Sequence, residues 1–202
     1  MRVKKIIGKS LLVLLCMVVV IAIVGVAQFC HRSKPENLKY YDTDNPFITG
    51  ETAISAHRSG AGEFPEETLA AFRGCTENPD VQVDYFEFDL HMTADDVLVL
   101  SHDATLDRVS DAAAVFGAEG VLVREKTLAE LKELNMAAQF VTDAGDAPYA
   151  DLHGEAVPDE LRILSLDEVL DYLTAAGDYR YIIEIKDGGA VGLAAADRLY
   201  AT

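Results

Sequence analysis

Basic residues are scarce in this sequence and unevenly placed: 17 Lys and Arg stand against 34 Asp and Glu in 202 residues. Four of the 17, Arg2, Lys4, Lys5 and Lys9, fall in the first nine positions, and no acid precedes Glu36. From residue 31 onward 13 basic residues therefore face 34 acidic ones, a net charge of −21. A body of that sign excludes DNA and RNA as partners, because their phosphates need a basic face. It also offers no polybasic patch to anionic lipid. Cysteine is rare as well. Cys16, Cys30 and Cys75 follow no metal-type spacing and set up no disulfide framework, so isolated thiols are expected, with Cys30–Cys75 the pairing to check. Internal repeats and low-complexity tracts are absent, and the length leaves room for one domain with an appendage.

The long apolar run comes early. Residues 11–27, "LLVLLCMVVVIAIVGVA", are 17 uninterrupted apolar positions that Phe29 and Cys30 extend. About 20 such residues span a bilayer core, whereas the apolar region of a secretory leader is normally about 7–15 residues. The run therefore reads as a single-span membrane anchor over 10–30 behind a basic stretch at 1–9, despite the weak small-x-small site at Gly25-Val26-Ala27. Counting Lys and Arg on either side places the N-terminus in the cytoplasm and the body outside, a single-pass protein of the cell membrane. Residues 31–50 are polar and turn-rich, as expected of a juxtamembrane linker, and a globular domain follows over 51–202.

Within that domain the pattern predicts a short strand near 52–56, a helix near 66–76 and a strongly alternating strand at 85–92, "YFEFDLHM". A second extended run follows at 97–103. Helices are predicted at 127–135 behind Thr127 and at 165–177 behind Ser165, with loop over 141–160. A strand at 179–186 and a helix at 190–201 complete the chain. Alternating strands and helices imply a parallel sheet covered by helices, an α/β fold. Three strands of barrel type plus one hairpin partner are too few for a (β/α)8 barrel, which needs about 250 residues. A partial TIM barrel of about three β/α units is therefore expected.

Side chains alternate along a strand, so Tyr85, Glu87 and Asp89 share the face opposite Phe86, Phe88 and Leu90, while Glu184 and Lys186 share a face of the later strand. An ordinary half-exposed strand would also turn such residues to water. In a helix-covered sheet, however, buried carboxylates need a cation, and both pairs lie at the carboxyl ends of their strands, where barrels place their sites. Glu87, Asp89 and Glu184 offer oxygen donors suited to Mg2+ or Ca2+. His57 and His102 each follow an extended run and could serve as acid and base. Arg58 presents a planar fork to a phosphate. Together these describe a phosphoryl-transfer site. His91 is a spare ligand or a structural residue, His31 and His153 are loop residues, and Ser101 lacks the flanking glycines of a nucleophile elbow.

Three blocks, "AHRSGAGEFPEETLAAF", "EFDLHMTADDVLVLSHDATLDR" and "IIEIK", resemble in order and spacing the signature of the glycerophosphodiester phosphodiesterase family, and the resemblance covers 51–202. It implies an eight-stranded barrel of which only the first part is present. The implied activity is hydrolysis of glycerophosphodiesters, or of a phospholipid-derived substrate, to glycerol phosphate and an alcohol. It further implies that His57 and His102 are the catalytic pair, that Glu87, Asp89 and Glu184 hold the metal, and that Arg58 and Lys186 contact the phosphate. Glu66 falls in the family's Pro-Glu-Asn-Thr block and is implied to orient the substrate site. Ser59 stands where the family usually has Gly, Glu67 where it has Asn, and Asp96 where it has a turn Gly. Two rivals stay open, a phospholipase D-like enzyme acting on intact lipids and an inert fragment or binding remnant.

Overall fold

A computed structural model describes residues 2–32 and 52–202, with the side chains of 15–31 placed in the first segment. The predicted linker lies outside the described residues from position 33 onward. The chain divides into two compact units, Met1–Glu51 and Thr52–Thr202. In the first, α1 (Arg2–Arg32) carries exposed apolar side chains from Leu15 to Phe29. Among the described residues no helix is long and apolar enough to cross a membrane. The expected anchor over 10–30 is thus not found among the described residues.

The second unit is built around one central strand, β2 (Tyr85–Met92). It pairs in parallel with β1 (Ser55–Ala56) and with β4 (Arg180–Ile185), and its last three residues pair antiparallel with β3 (Leu98–Leu100). Three parallel strands and one hairpin partner are the set the sequence predicts. The hairpin turns at Asp96, whose φ of 58° occupies the left-handed position that glycine would otherwise fill. Phe86, Phe88 and Leu90 are fully buried against α2 (Leu69–Glu77), α5 (Leu166–Ala176) and α6 (Gly189–Ala201) through Phe72, Leu166, Val169, Leu173 and Ala195. Rings of Phe72 and Phe86 lie 5.2 Å apart, in the tilted contact that aromatic pairs favour.

Helix starts follow their caps. Thr68 Oγ1 accepts the Ala71 N–H, and Ser165 exchanges a reciprocal capping box with Glu168. The helix expected over 127–135 stops early, as α4 (Leu128–Leu131). Asn135 ends it: its side chain donates to the carbonyls of Tyr149 and Leu152, and its N–H donates to Asp111. Local polar bonding of this kind competes with the helix ladder. A short helix that the pattern missed, α3 (Ala112–Phe116), packs with Val99, Leu106, Val123, Leu131 and Ile163 in a second core. Residues 141–160 are loop, as expected, with a three-ten turn at Gly154–Ala156.

Candidate active site

The turn after β1 sets the geometry. Arg58, Ser59 and Gly60 take φ of 48°, 64° and 115° in succession. A left-handed non-glycine residue costs about 1–2 kcal/mol, so the turn needs partners. The Arg58 N–H donates to Glu87 Oε2 at 2.8 Å, its carbonyl accepts the Glu67 N–H at 3.1 Å, and Cys75 Sγ lies 3.4 Å from the Ser59 carbonyl. Ser59 at φ 64° shows why glycine suits that position: the serine keeps the left-handed turn and bears its strain. At Gly60 a Cβ would come within 2.7 Å of Cys75 Sγ. All three cysteines are free thiols.

Glu87, Asp89 and Glu184 converge. One oxygen from each lies within 4.8 Å of the others, and the parallel register sets Asp89 opposite Glu184. Asp89 is 1% exposed, and its carboxylate oxygens accept no well-aligned hydrogen bond, their partners being the cations at ion-pair distance. A buried carboxylate so left is costly unless a cation reaches it. Lys186 Nζ stands 3.0 Å from Asp89 Oδ1 and 3.0 Å from Glu184 Oε2, and Arg58 Nε stands 3.9 Å from Asp89 Oδ2. The residues fit a hard divalent ion, being all-oxygen, convergent and under-satisfied. Burial is less complete than a helix-covered sheet predicts. The Glu184 side chain is 59% exposed, because β4 carries no packed neighbour on its far side among the described residues.

The histidines flank this cluster differently. His57 is largely exposed, with Nε2 3.9 Å from Glu87 Oε2. His102 is held by its Nδ1, 2.6 Å from Asp103 Oδ1. Asp103 is in turn gripped by Arg108 Nε, and the Arg108 fork closes on both oxygens of Glu66 at 2.6 and 2.9 Å. Glu66 also lies 3.5 Å from Arg58 Nη1. A chain of charge-assisted contacts therefore runs from His102 through Asp103, Arg108 and Glu66 to Arg58. Burial alone would lift the Glu66 carboxyl, but the Arg108 and Arg58 guanidiniums outweigh it and hold it below the usual carboxylate range. Asp103 behaves alike: burial opposes, and His102 and Arg108 win. Neither Asp103 nor Arg108 was singled out from the sequence. The available signal was their opposite charge, five residues apart, inside the block that carries His102. Of the other histidines, His31 is exposed, His153 sits 3.5 Å from Asp111, and His91 is buried against Asp187.

Glu67 is the unexpected member. It is 3% exposed, and its Oε1 accepts the Asp89 N–H at 2.7 Å. Burial pushes its carboxyl well above the usual range; the Asp89 N–H opposes this, while the charges of Asp89, Glu66 and Glu87 add to it. A protonated Glu67 is neutral, like the amide usual at that position, so it adds no charge beside an anion site. Folding then takes up a proton, and stability falls as pH rises from the unfolded pKa toward the raised folded one, by about 1.4 kcal/mol per pH unit traversed. Glu67→Gln, measured by chemical denaturation without divalent ions, is expected to match the parent near pH ~4 and exceed it increasingly toward neutrality. A difference independent of pH would show Glu67 ionised in the fold.

Comparison with known proteins agrees with this geometry. A glycerophosphodiester phosphodiesterase of Caldanaerobacter subterraneus subsp. tengcongensis is 34% identical over 138 residues, covering 68% of this chain and 46% of its own. The bovine glycerophosphodiester phosphodiesterase 1 is 39% identical over 83 residues, covering 41% of this chain and 22% of its own. This chain thus spans less than half the length of these relatives. Among solved structures, the glycerophosphoryl diester phosphodiesterase domain of a Mycobacterium tuberculosis protein shares the fold, with a TM-score of 0.56 at 23% identity over 75% of this chain and 48% of that one. A glycerophosphodiester phosphodiesterase from Agrobacterium tumefaciens superposes with a TM-score of 0.50 at 26% identity, over 75% of this chain and 54% of its own. The model of the glycerophosphoryl diester phosphodiesterase family matches residues 57–196, and the chain belongs to that family.

Proposed function

We propose that this site hydrolyses glycerophosphodiesters to glycerol phosphate and an alcohol. The observation that carries the proposal is the convergence of Glu87, Asp89 and Glu184 to within 4.8 Å beside two phosphate-competent cations, Arg58 and Lys186. A divalent ion such as Mg2+ or Ca2+ held there would offset charge on a phosphoryl oxygen and acidify the attacking hydroxyl. The chain's own groups do the rest. Arg58 and Lys186 receive the phosphate, and Glu66 holds the Arg58 guanidinium in place. His102, fixed through Nδ1 by Asp103, presents Nε2 to the substrate, and His57 presents Nε2 beside Glu87. One imidazole takes a proton from the attacking hydroxyl and the other gives one to the departing alcohol, so protons balance over the cycle.

A second reading, action on intact phospholipids, is favoured by a cavity of about 210 Å3 beside Glu66 and Arg108, walled by Phe64, Pro65, Val109, Met136, Phe140 and Val141. An anchored protein with its N-terminus in the cytoplasm and its catalytic body outside belongs to the same proposal. That part rests on the apolar run 11–27, the basic residues before it and the exposed apolar side chains of α1. Joining residues 1–202 to the C-terminal half of the Caldanaerobacter relative tests the substrate class. The joined protein is expected to release glycerol phosphate from glycerophosphocholine, and residues 52–202 alone to do so only in trace amounts and to self-associate through the β4 edge. Faster turnover of phosphatidylcholine than of the deacylated diester would overturn the headgroup reading in favour of the lipid one.

A further inference from the structure

The β2–β4 ladder ends with Leu90 opposite Ile185 and with the Lys186 N–H donating to the Leu90 carbonyl at 3.0 Å. One residue further, Asp187 reaches back across the gap with both carboxylate oxygens. Its Oδ1 lies 2.8 Å from His91 Nδ1, and its Oδ2 accepts the Met92 N–H at 2.7 Å. A carboxylate only accepts, so Nδ1 of His91 carries the proton in this bond. The pair is well covered, the side chains being 5% and 10% exposed. Beyond it the chain passes through Gly188 and Gly189 into α6, two residues that restrain the backbone least. Helix α6 presses on Asp187 from that side: a Cβ on Gly192 would stand 2.3 Å from the Asp187 carbonyl oxygen. Asp187 is therefore fixed to β2 by its side chain and seated under α6 by its main chain. Its neighbour Lys186 is the residue that contacts both Asp89 and Glu184.

We propose that His91 and Asp187 are positioning residues, a clamp that holds the end of β4 so that Lys186 and Glu184 meet Asp89 at the ion and phosphate site. The inference rests on the phosphodiesterase reading of that site. Alternation along β2 puts His91 on the Asp89 face, yet its work is to orient β4 rather than to touch substrate. Supporting residues of this kind commonly change metal affinity by about 10–100-fold.

The test uses the 1–202 chain with Asp187→Asn, His91→Phe and Gly192→Ala. Asn keeps a single acceptor for two donors, Phe fills the imidazole's space without a donor, and Gly192→Ala moves Asp187 while leaving both polar groups intact. Amide hydrogen exchange at Lys186 is expected to quicken at least ~10-fold in each variant, with mid-strand β4 amides unchanged. Mg2+ affinity by calorimetric titration is expected to fall ~10-fold or more in the same variants. Lys186 exchange within twofold of the parent would overturn the clamp. Faster exchange with unchanged Mg2+ affinity would reduce the pair to a structural tie and overturn the positioning claim. A parent that binds no Mg2+ would sink the metal reading and with it the positioning claim, while the exchange measurement, which needs no ion, would still decide whether the tie exists.

Discussion

Replacing His57 or His102 by Ala in the barrel-completed protein is expected to lower hydrolysis of glycerophosphocholine by ~10²–10⁴, the usual loss when a general acid or base is removed. Folding should survive both changes. His57 is 69% exposed on its side chain and its nearest charged partner is 3.9 Å away, so Ala there leaves no cavity and orphans no short hydrogen bond. His102 is 30% exposed, and its loss leaves Asp103 still gripped by Arg108. The two substitutions should not multiply if the groups act in one proton circuit. Steady-state rates at saturating metal, with unfolding midpoints as the control, check this. Activity within threefold of the parent for either variant would remove that histidine from the mechanism.

The second large effect is expected at Asp89. It is the buried centre of the cluster: Glu184 lies opposite it, Lys186 and Arg58 reach it, and Glu67 receives its N–H. Asp89→Asn keeps the shape and removes one charge. Affinity for Mg2+ is expected to fall by more than ~100-fold, beyond the range usual for residues that merely support a ligand. The fold should survive the change, because Lys186 keeps its 3.0 Å contact with Glu184 and Arg58 its contact with Glu66. Calorimetric titration of parent and variant reads the difference. A loss smaller than tenfold would mean that Asp89 is not a ligand.

Much of this was legible in the sequence, and for identifiable reasons. The alternation of "YFEFDLHM" gives β2 to the residue, and since register in a parallel pair follows from which faces are apolar, it also brings Glu87, Asp89 and Glu184 together. Thr127 and Ser165 mark their helices because a cap is a local interaction. What stayed hidden depends on distant partners. The arrest of α4 at Leu131 comes from Asn135 bonding to Tyr149 and Leu152. The Arg108 bridge joins residues 42 positions apart, and the Asp187 clamp joins residues 96 apart. No window of sequence contains both ends of such contacts. In the sequence Glu67 is only an acid where the family has Asn; its burial behind the Asp89 N–H comes from the packed structure alone.

The claim on which the rest depends is that three carboxylates from two parallel strands hold one divalent ion. A crystal structure grown with Mn2+, the ion located by its anomalous scattering, tests it most directly. The expected result is a single ion with oxygens of Glu87, Asp89 and Glu184 at ~2.0–2.6 Å and the Lys186 ammonium withdrawn from between Asp89 and Glu184. An ion bound elsewhere, or Glu184 turned to solvent with Lys186 still bridging the two carboxylates, would contradict it.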